Sequence, residues 1–245
     1  MKSITAMRVL YRALIKGDER SAFTLSEKVT QILYPRYKFS EPGRSFLCDE
    51  AFLRYYESFE GRSNYHSLDR KYALDQLMKL VCHLGGDTAE CGACQGASSY
   101  LICRRIVGLG KLHHVFDSFE GLSAPRPEDG TYWKQGSLAS SQDILRERLK
   151  EFDFVVVHKG WIPERFHDVG DRQFCFLHVD VDLFQPTLES LLFFYTRMVP
   201  GGIILCDDYG FETCPGARKA MDSFFADKPE KIASLPTGQG LVIKR

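Results

Sequence analysis

The sequence lacks the features that would direct a protein to a membrane or to nucleic acid. No apolar run approaches the roughly 20 residues that a membrane-spanning helix needs, and the basic N-terminal segment has no small-residue cleavage site typical of a signal peptide. The 32 basic and 32 acidic residues give a formal net charge of zero, whereas a protein that binds phosphate backbones normally carries a basic excess. We therefore expect a cytoplasmic protein that binds neither membranes nor nucleic acid.

A second CxxC pair is also missing. The chain has eight cysteines, and Cys91 and Cys94 form its one CxxC pair, which alone is weak support for a zinc or redox site. Cys175 and Cys206 lie in apolar runs, where cysteine usually acts as a small buried hydrophobic residue. With no secretion signal, we expect reduced thiols.

From Asp87 onward, apolar strand-like runs alternate with helical patterns. The predicted strands are residues 87–91, 112–116, 154–157, 174–179 and 203–206, with weaker ones at 231–235 and 240–243. The predicted helices are residues 97–107, 142–151, 188–198 and 216–226. This alternation is typical of βαβ units and predicts an α/β fold with a mostly parallel seven-stranded sheet and helices on both faces. Ligands of such sheets bind beyond the carboxyl ends of the strands.

Residues 1–80 have a different pattern, with helical runs at 5–15, 25–33, 49–59 and 67–81 and many aromatic residues. One interpretation is a helical layer that packs on the sheet. Another is a cap over the ligand-binding edge with mobile loops at 44–47 and 61–65, and both can hold because a cap also buries its inner face. We predict a helical N-terminal cap or substrate region over residues 1–80 and a core domain over residues 81–245.

Gly92 and Gly96 bracket the turn after the first predicted strand, in the segment ECGACQGAS. Glycine lets the backbone approach a ligand and adopt positive φ, but the segment has neither the GK[ST] of a phosphate loop nor the GxGxxG of a dinucleotide fold. The second predicted strand ends at Asp117, about 20 residues further on, where α/β folds bind a ribose diol. Asp117 could instead cap a turn, but its place beside the glycine turn favours a nucleoside site.

Carboxylates follow two further strands, Asp180 and Asp182 after the fourth and Asp207 and Asp208 after the fifth. These strand ends meet at one edge, and packed carboxylates repel one another unless a cation is present. Oxygen ligands favour Mg²⁺ over zinc, and the nearby His178 lies on the strand itself. The alternative is that Asp207 and Asp208 cap a turn and Asp180 pairs with an arginine. Two acidic clusters on neighbouring strands favour a metal site.

Several segments resemble the TylF/macrocin O-methyltransferase family. They are HVDVDLFQPT and the run that follows it to LCDDYG, the block CPGARKAMDSFF, and upstream GGDTAECGACQG, FDSFEGL and KGWIPERF. The resemblance extends from about Leu68 to the C-terminus, is loose over residues 1–60, and departs from the usual valine-tryptophan pair after the first glycine of ECGACQG. Family members are S-adenosylmethionine- and Mg²⁺-dependent enzymes that methylate sugar hydroxyls in antibiotic biosynthesis. The resemblance implies a Rossmann-like class I methyltransferase fold and a homodimer.

The resemblance also implies contacts with the two cofactors. At the methionine end of S-adenosylmethionine these are Glu90, Gly92 and Gly96; at its ribose, Asp117 and Ser118; at its adenine, Ser141 and Gln142; near the cofactor or behind the metal, Asp182; and at Mg²⁺, Asp180, Asp207 and Asp208. Trp161, after the third strand, is expected either to shape the site or to pack in the core.

The chemistry expected of this site is methyl transfer to a hydroxyl. The thioether leaving group needs little help, whereas a sugar hydroxyl is a poor nucleophile that a bound cation makes more acidic. We expect a glycosylated small-molecule substrate to chelate Mg²⁺ through two vicinal oxygens and Asp180 to accept the proton, with His158 or His178 as alternative bases.

A catechol-type or other small-molecule O-methyltransferase is the nearest alternative function. The missing GxGxxG argues against an NAD-dependent oxidoreductase, and converging acids argue against a binding module without activity.

Overall fold

The computed structural model describes residues 2–35, 45–59 and 67–245. Contacts along the chain divide it into two compact units, Met1–Tyr55 and Tyr56–Arg245. The loop predicted at 61–65 lies outside the described residues, as does Arg44 of the other predicted loop, whereas Ser45–Cys48 forms a short 3₁₀ helix. The role of residues 1–80 as a cap stays a prediction.

The first unit is helical. It contains α1 (Lys2–Ile15), α2 (Glu19–Leu33) and most of α3 (Glu50–Phe59). Helix α2 begins after Asp18, whose carboxylate accepts a hydrogen bond from Ser21 N at 3.0 Å and so satisfies a free amide of the first turn. Helices α1 and α2 pack against each other.

The second unit contains a seven-stranded sheet. Its strands are β1 (Asp87–Cys91), β2 (His113–Asp117), β3 (Val155–Lys159), β4 (Phe174–Val179), β5 (Met198–Cys206), β6 (Ala233–Ser234) and β7 (Gly240–Ile243). They lie in the order β3-β2-β1-β4-β5-β7-β6, with β1 to β5 parallel and the β5–β7 and β6–β7 pairs antiparallel. The predicted mostly parallel seven-stranded sheet is confirmed. The strand order reverses between β1 and β4, which is where ligands bind in such sheets.

Helices cover both faces of the sheet. They are α4 (Leu68–Val81), α5 (Ala97–Ile106), α6 (Gln142–Arg148), α7 (Phe184–Phe194) and α8 (Pro215–Phe225). Side chains of α7 and α8 pack in one core cluster with Phe116, and side chains of α5 and α6 pack in another with Val115. Successive strand residues point to opposite faces, so these two clusters lie on opposite sides of β2. Within the described ranges, no helix is long and apolar enough to cross a membrane.

Two element boundaries differ from the sequence prediction. Helix α7 begins at Phe184 instead of residue 188, because Pro186 falls in its first turn, where the missing N–H costs nothing. Strand β5 begins at Met198 instead of residue 203. The intervening Pro200 and two glycines, which suggest a break, lie at an irregularity in the β4–β5 register between Phe174 and Phe176.

Asp87, at the start of β1, should stabilise the fold in a pH-dependent way. Its carboxylate accepts hydrogen bonds from Leu112 N at 2.9 Å and from Arg172 at 2.7 Å, and lies 3.4 Å from His114 Nε2. Burial raises the pKa of Asp87, but these partners outweigh it and leave the pKa at about 2. A folded-state pKa below the unfolded value stabilises the protein above about pH 4, and this contribution is lost as the pH falls towards 2.

We therefore expect Asp87→Asn to lower the free energy of unfolding by about 1–2 kcal/mol at pH 7, after allowance for partial solvent screening. Urea unfolding between pH 7 and pH 3 measures it, and the deficit should narrow below pH 4. The control is Asp227→Asn, since Asp227 is an exposed acid beside Lys228 and should give no measurable change. A deficit of constant size across this range would show that packing, not charge, is responsible.

Candidate active site

A cavity of about 800 Å³ lies at the carboxyl end of the parallel strands, within the second unit. The segments that follow β1 to β5 all contribute to it. Its walls include Gly92 after β1, Asp117 at the end of β2, Trp161 after β3, Asp180 after β4 and Asp208 after β5. This volume lies in the range of cofactor and small-molecule sites.

Asp117 holds the turn that follows β1. Its Oδ2 accepts hydrogen bonds from the backbone N–H groups of Ala93 and Cys94, each at 2.8 Å, and its Oδ1 accepts one from Phe119 N at 2.7 Å. Burial raises the pKa of Asp117, and the three backbone donors oppose that rise. Oδ1 keeps one lone pair for a further donor, such as a ribose hydroxyl.

Gly92 is required where this turn meets the acidic end of β4. Its φ is +80°, and a Cβ there would lie 1.9 Å from the carbonyl oxygen of Asp180. Gly96 also has positive φ, +87°, but a Cβ there would have its nearest neighbours at 3.5 Å, in Leu145 and Leu149. Close backbone approach therefore demands glycine at position 92, and backbone conformation alone favours it at position 96.

Glu90 lies behind the cavity wall, not on it. The side chain is fully buried, accepts hydrogen bonds from Ser99 Oγ and, at 2.9 Å, from His178 Nδ1, and has His113 nearby. Burial raises the pKa of Glu90, but contacts with His113 and His178 outweigh it and hold the pKa well below its usual range. Glu90 thus connects β1 to α5 and β4 beneath the glycine turn.

The other predicted cofactor contacts divide into two groups. Ser118 lines the cavity. Ser141 instead caps α6 by accepting a hydrogen bond from Asp143 N at 3.2 Å, and neither Ser141 nor Gln142 is among the described residues that line the cavity. Trp161, half-buried after β3, is on the cavity wall.

The acids after β4 and β5 form two neighbouring clusters. Donor atoms of Asp180, Asp207 and His178 lie within 4.8 Å of one another, as do those of Asp182, Asp208 and Cys214. Asp180, Asp182 and Asp208 line the cavity, whereas the fully buried Asp207 lies behind its wall. The structure thus brings the predicted ligands to one edge of the sheet but divides them between the two clusters.

Crowding changes the protonation of the buried acids. Burial and the neighbouring Asp180 raise the pKa of Asp182 to about 7. Burial, then Asp182 and Asp180, raise the pKa of Asp208 well above its usual range. Both effects arise because carboxylates in a poorly hydrated site disfavour each other's charge.

Two buried cations of α4 face these acids. Arg70 forms an ion pair with Asp207, and Lys71 contacts Ser98 Oγ through its Nζ. Burial lowers the pKa of Lys71 to about 8, and Asp180 opposes that change. The carboxylates still outnumber these cations, and the Asp180 side chain makes no hydrogen bond or ion pair with any residue that the structure describes. This set of hard oxygen donors fits a divalent cation such as Mg²⁺.

The sequence matches the macrocin O-methyltransferase (TylF) family over residues 66–233. The chain belongs to this family. The match confirms the predicted family and identifies the chain as an O-methyltransferase.

The relatives of this O-methyltransferase agree with the assignment. Demethyldecarbamoylnovobiocin O-methyltransferase of Streptomyces niveus is 26% identical over 194 residues, which cover 68% of this chain and 71% of that protein. An 8-demethyl-8-(2,3-dimethoxy-alpha-L-rhamnosyl)-tetracenomycin-C 4'-O-methyltransferase of Streptomyces olivaceus is 26% identical over 150 residues, which cover 54% of this chain and 56% of that protein. The structure of the O-methyltransferase NovP has a similar fold, with a TM-score of 0.61 and 21% identity over 74% of this chain and 83% of NovP. The Rossmann-like class I fold is confirmed.

Both histidines considered as bases in this O-methyltransferase are bonded elsewhere. His158 lies 3.0 Å from His114 and 3.2 Å from Asp168, and its ring stacks on Phe116. His178 lies between Glu90 and Asp207. Neither is among the described residues that line the cavity.

Sequence reasoning missed one wall of the cavity. Residues 122–126, Tyr132 and Trp133 contribute to it, and Trp133 Nε1 donates to Cys214 Sγ at 3.3 Å. These residues lie in the long connection between β2 and α6, which carries no periodic pattern. The aromatic pair Tyr132 and Trp133 in that connection is the signal that could have found it.

Proposed function

We propose that this enzyme transfers a methyl group from S-adenosylmethionine to a hydroxyl of a sugar or another diol-bearing natural product, with the help of Mg²⁺. One observation carries the proposal: a single cavity has the Asp117-held glycine turn on one side and Asp180, Asp182 and Asp208 on another. In this proposal the nucleoside site and the hard oxygen ligands therefore share one space. The names of the relatives from Streptomyces support a glycosylated substrate, and the homodimer stays a prediction from the resemblance.

The cofactor site follows from the positions of β1, β2 and β3. In this proposal Asp117 and Ser118, which line the cavity, bind the ribose, and the backbone after Gly92 binds the methionine end. The adenine side belongs in this proposal to Gly160 and Trp161, which line the cavity, whereas Ser141 and Gln142 are not among the described residues that line it. Glu90 acts from behind, by holding the strand end that carries the turn.

The acids of β4 and β5 serve the metal and the proton. Asp180 and Asp208, which line the cavity, and Asp207, which lies behind its wall, would hold Mg²⁺. When bound, Mg²⁺ supplies positive charge that makes a neighbouring hydroxyl more acidic. Asp180 is the proposed acceptor of the hydroxyl proton, and Asp182, buried beside it, is the alternative. As the new C–O bond forms, the S–CH₃ bond breaks and its electron pair stays on the neutral thioether.

The test is methyl transfer from labelled S-adenosylmethionine to natural-product glycosides that carry a vicinal diol, each paired with the analogue that lacks one of the two hydroxyls. We expect label in the diol and at least about 100-fold less in its deoxy partner, because two oxygens are needed to hold the acceptor in place. Equal transfer to both partners would contradict the diol requirement. Efficient transfer to simple catechols and none to glycosides would favour the rival substrate class.

A further inference from the structure

A buried ion pair occupies one of the acids that the proposed metal site needs. Arg70 of α4 donates through its guanidinium to Oδ2 of Asp207, at the end of β5, and both residues are buried. The guanidinium carbon lies 4.6 Å from the centre of the Phe211 ring, and both Arg70 and Phe211 line the cavity. The arginine therefore lies between the acid behind the wall and the open space in front of it.

The other oxygen of Asp207 is engaged as well. Asp207 Oδ1 accepts a hydrogen bond from Gln239 Nε2 at 2.7 Å and lies 3.4 Å from His178 Nε2. Gln239 and His178 are themselves fully buried. With Oδ1 held by two packed side chains, the oxygen that can change its partner is Oδ2, and its partner is Arg70.

A divalent ion and a guanidinium cannot both approach one carboxylate oxygen without strong repulsion in a buried site. A ligand atom of Asp207 lies within 4.8 Å of ligand atoms of Asp180 and His178, so an ion held by Asp180 would be drawn to the Asp207 carboxylate, whose Oδ2 is bonded to Arg70. The Arg70 guanidinium could move into the cavity when an ion binds, since Arg70 already lines the cavity.

We propose that Arg70 competes with the divalent ion for Asp207, and so sets how tightly this enzyme binds metal. The inference rests on the proposed metal role of Asp180 and its neighbours. Arg70 acts in it as a positioning residue: it holds Asp207 in place until the ion takes over that oxygen. Lys71 removes the same unit of charge when replaced, but contacts Ser98 instead of Asp207, which makes it the matched control.

The experiment is calorimetric titration of Mn²⁺, which replaces Mg²⁺ as the probe, into the full-length wild-type protein and into the variants Arg70→Gln and Lys71→Gln. We expect Arg70→Gln to bind Mn²⁺ at least about tenfold more tightly than wild type, and Lys71→Gln to gain less than about threefold. Thermal unfolding supplies a second readout. Arg70→Gln should unfold at a lower temperature than wild type because Asp207 loses its partner, and Mn²⁺ should raise its midpoint more than that of wild type.

The possible outcomes separate the two proposals. Equal Mn²⁺ affinity in wild type and Arg70→Gln, or equal gains in both variants, overturns the competition and leaves the metal site standing. Absence of Mn²⁺ binding in all three proteins overturns both. If Arg70→Gln does not fold, Arg70→Lys replaces it: this variant keeps the charge but lacks the planar fork, so a gain of about threefold is expected, and wild-type affinity would overturn the competition.

Discussion

Replacing Asp180 by asparagine is expected to lower kcat by at least about 10³-fold while S-adenosylmethionine binding stays within a few-fold of wild type. The change keeps the size of the side chain and removes its charge. It breaks no hydrogen bond or ion pair among the described residues, because the Asp180 side chain makes none there. Several kcal/mol of transition-state stabilisation is what a bound cation typically contributes, and 1.36 kcal/mol corresponds to a tenfold change in rate.

Asp117→Asn is the matched comparison, since it also neutralises one cavity-lining carboxylate. Its expected effect is the reverse: a rise of about 10–100-fold in the KM for S-adenosylmethionine with a smaller change in kcat, because loss of the Asp117 charge weakens its hold on Ala93 and Cys94. Steady-state kinetics with both substrates, together with cofactor titration, separate the two patterns. The same pattern in both variants would contradict the assignment of catalysis to Asp180 and of cofactor binding to Asp117.

Gly92→Ala is expected to destroy cofactor binding and to destabilise the fold by about 3 kcal/mol or more. The new methyl group would lie 1.9 Å from the carbonyl oxygen of Asp180, far inside van der Waals contact, so the ends of β1 and β4 would have to separate. That movement disturbs both the glycine turn and the acidic cluster. Chemical denaturation and titration of S-adenosylmethionine measure the two losses.

Gly96→Ala is the control for backbone conformation. Its φ of +87° is as unfavourable for alanine as that of Gly92, but its Cβ would meet ordinary contacts at 3.5 Å. We expect a loss of about 1–2 kcal/mol and cofactor affinity within about tenfold of wild type. If Gly92→Ala proves as mild as Gly96→Ala, the close approach of the two strand ends is not essential.

The sheet could be predicted because its physical signals are local. An apolar run such as Phe174–Val179, buried at every position, is typical of a central strand in a parallel sheet. Intervening helical patterns then require parallel crossovers. The start of α7 was less predictable, because Pro186 is a helix breaker in most positions and harmless in the first turn.

The location of the candidate site could be predicted from the sequence, but the hydrogen bonds and ion pairs within it could not. Strand-end acids identify the edge at which Asp117, Asp180 and Asp208 line one cavity. Which acid pairs with which cation depends on packing between distant elements. Arg70 and Asp207 are 137 positions apart, and no spacing rule links them.

Glu90 illustrates the same limit. The family resemblance implies that Glu90 contacts the cofactor, and that contact stays a prediction, but the sequence does not reveal that Glu90 bonds to His178, 88 positions away. That bond depends on β1 and β4 being neighbours in the sheet, which the order of strands along the chain does not reveal.

The central claim is that carboxylates on neighbouring strand ends hold a divalent cation beside the methyl donor. The most direct measurement is turnover of a methyl-accepting diol after chelation with EDTA and again after Mg²⁺ is restored. The account predicts that wild-type turnover falls to background and recovers with Mg²⁺, and that Asp180→Asn stays at background throughout. Undiminished turnover in the chelated wild-type enzyme would contradict it.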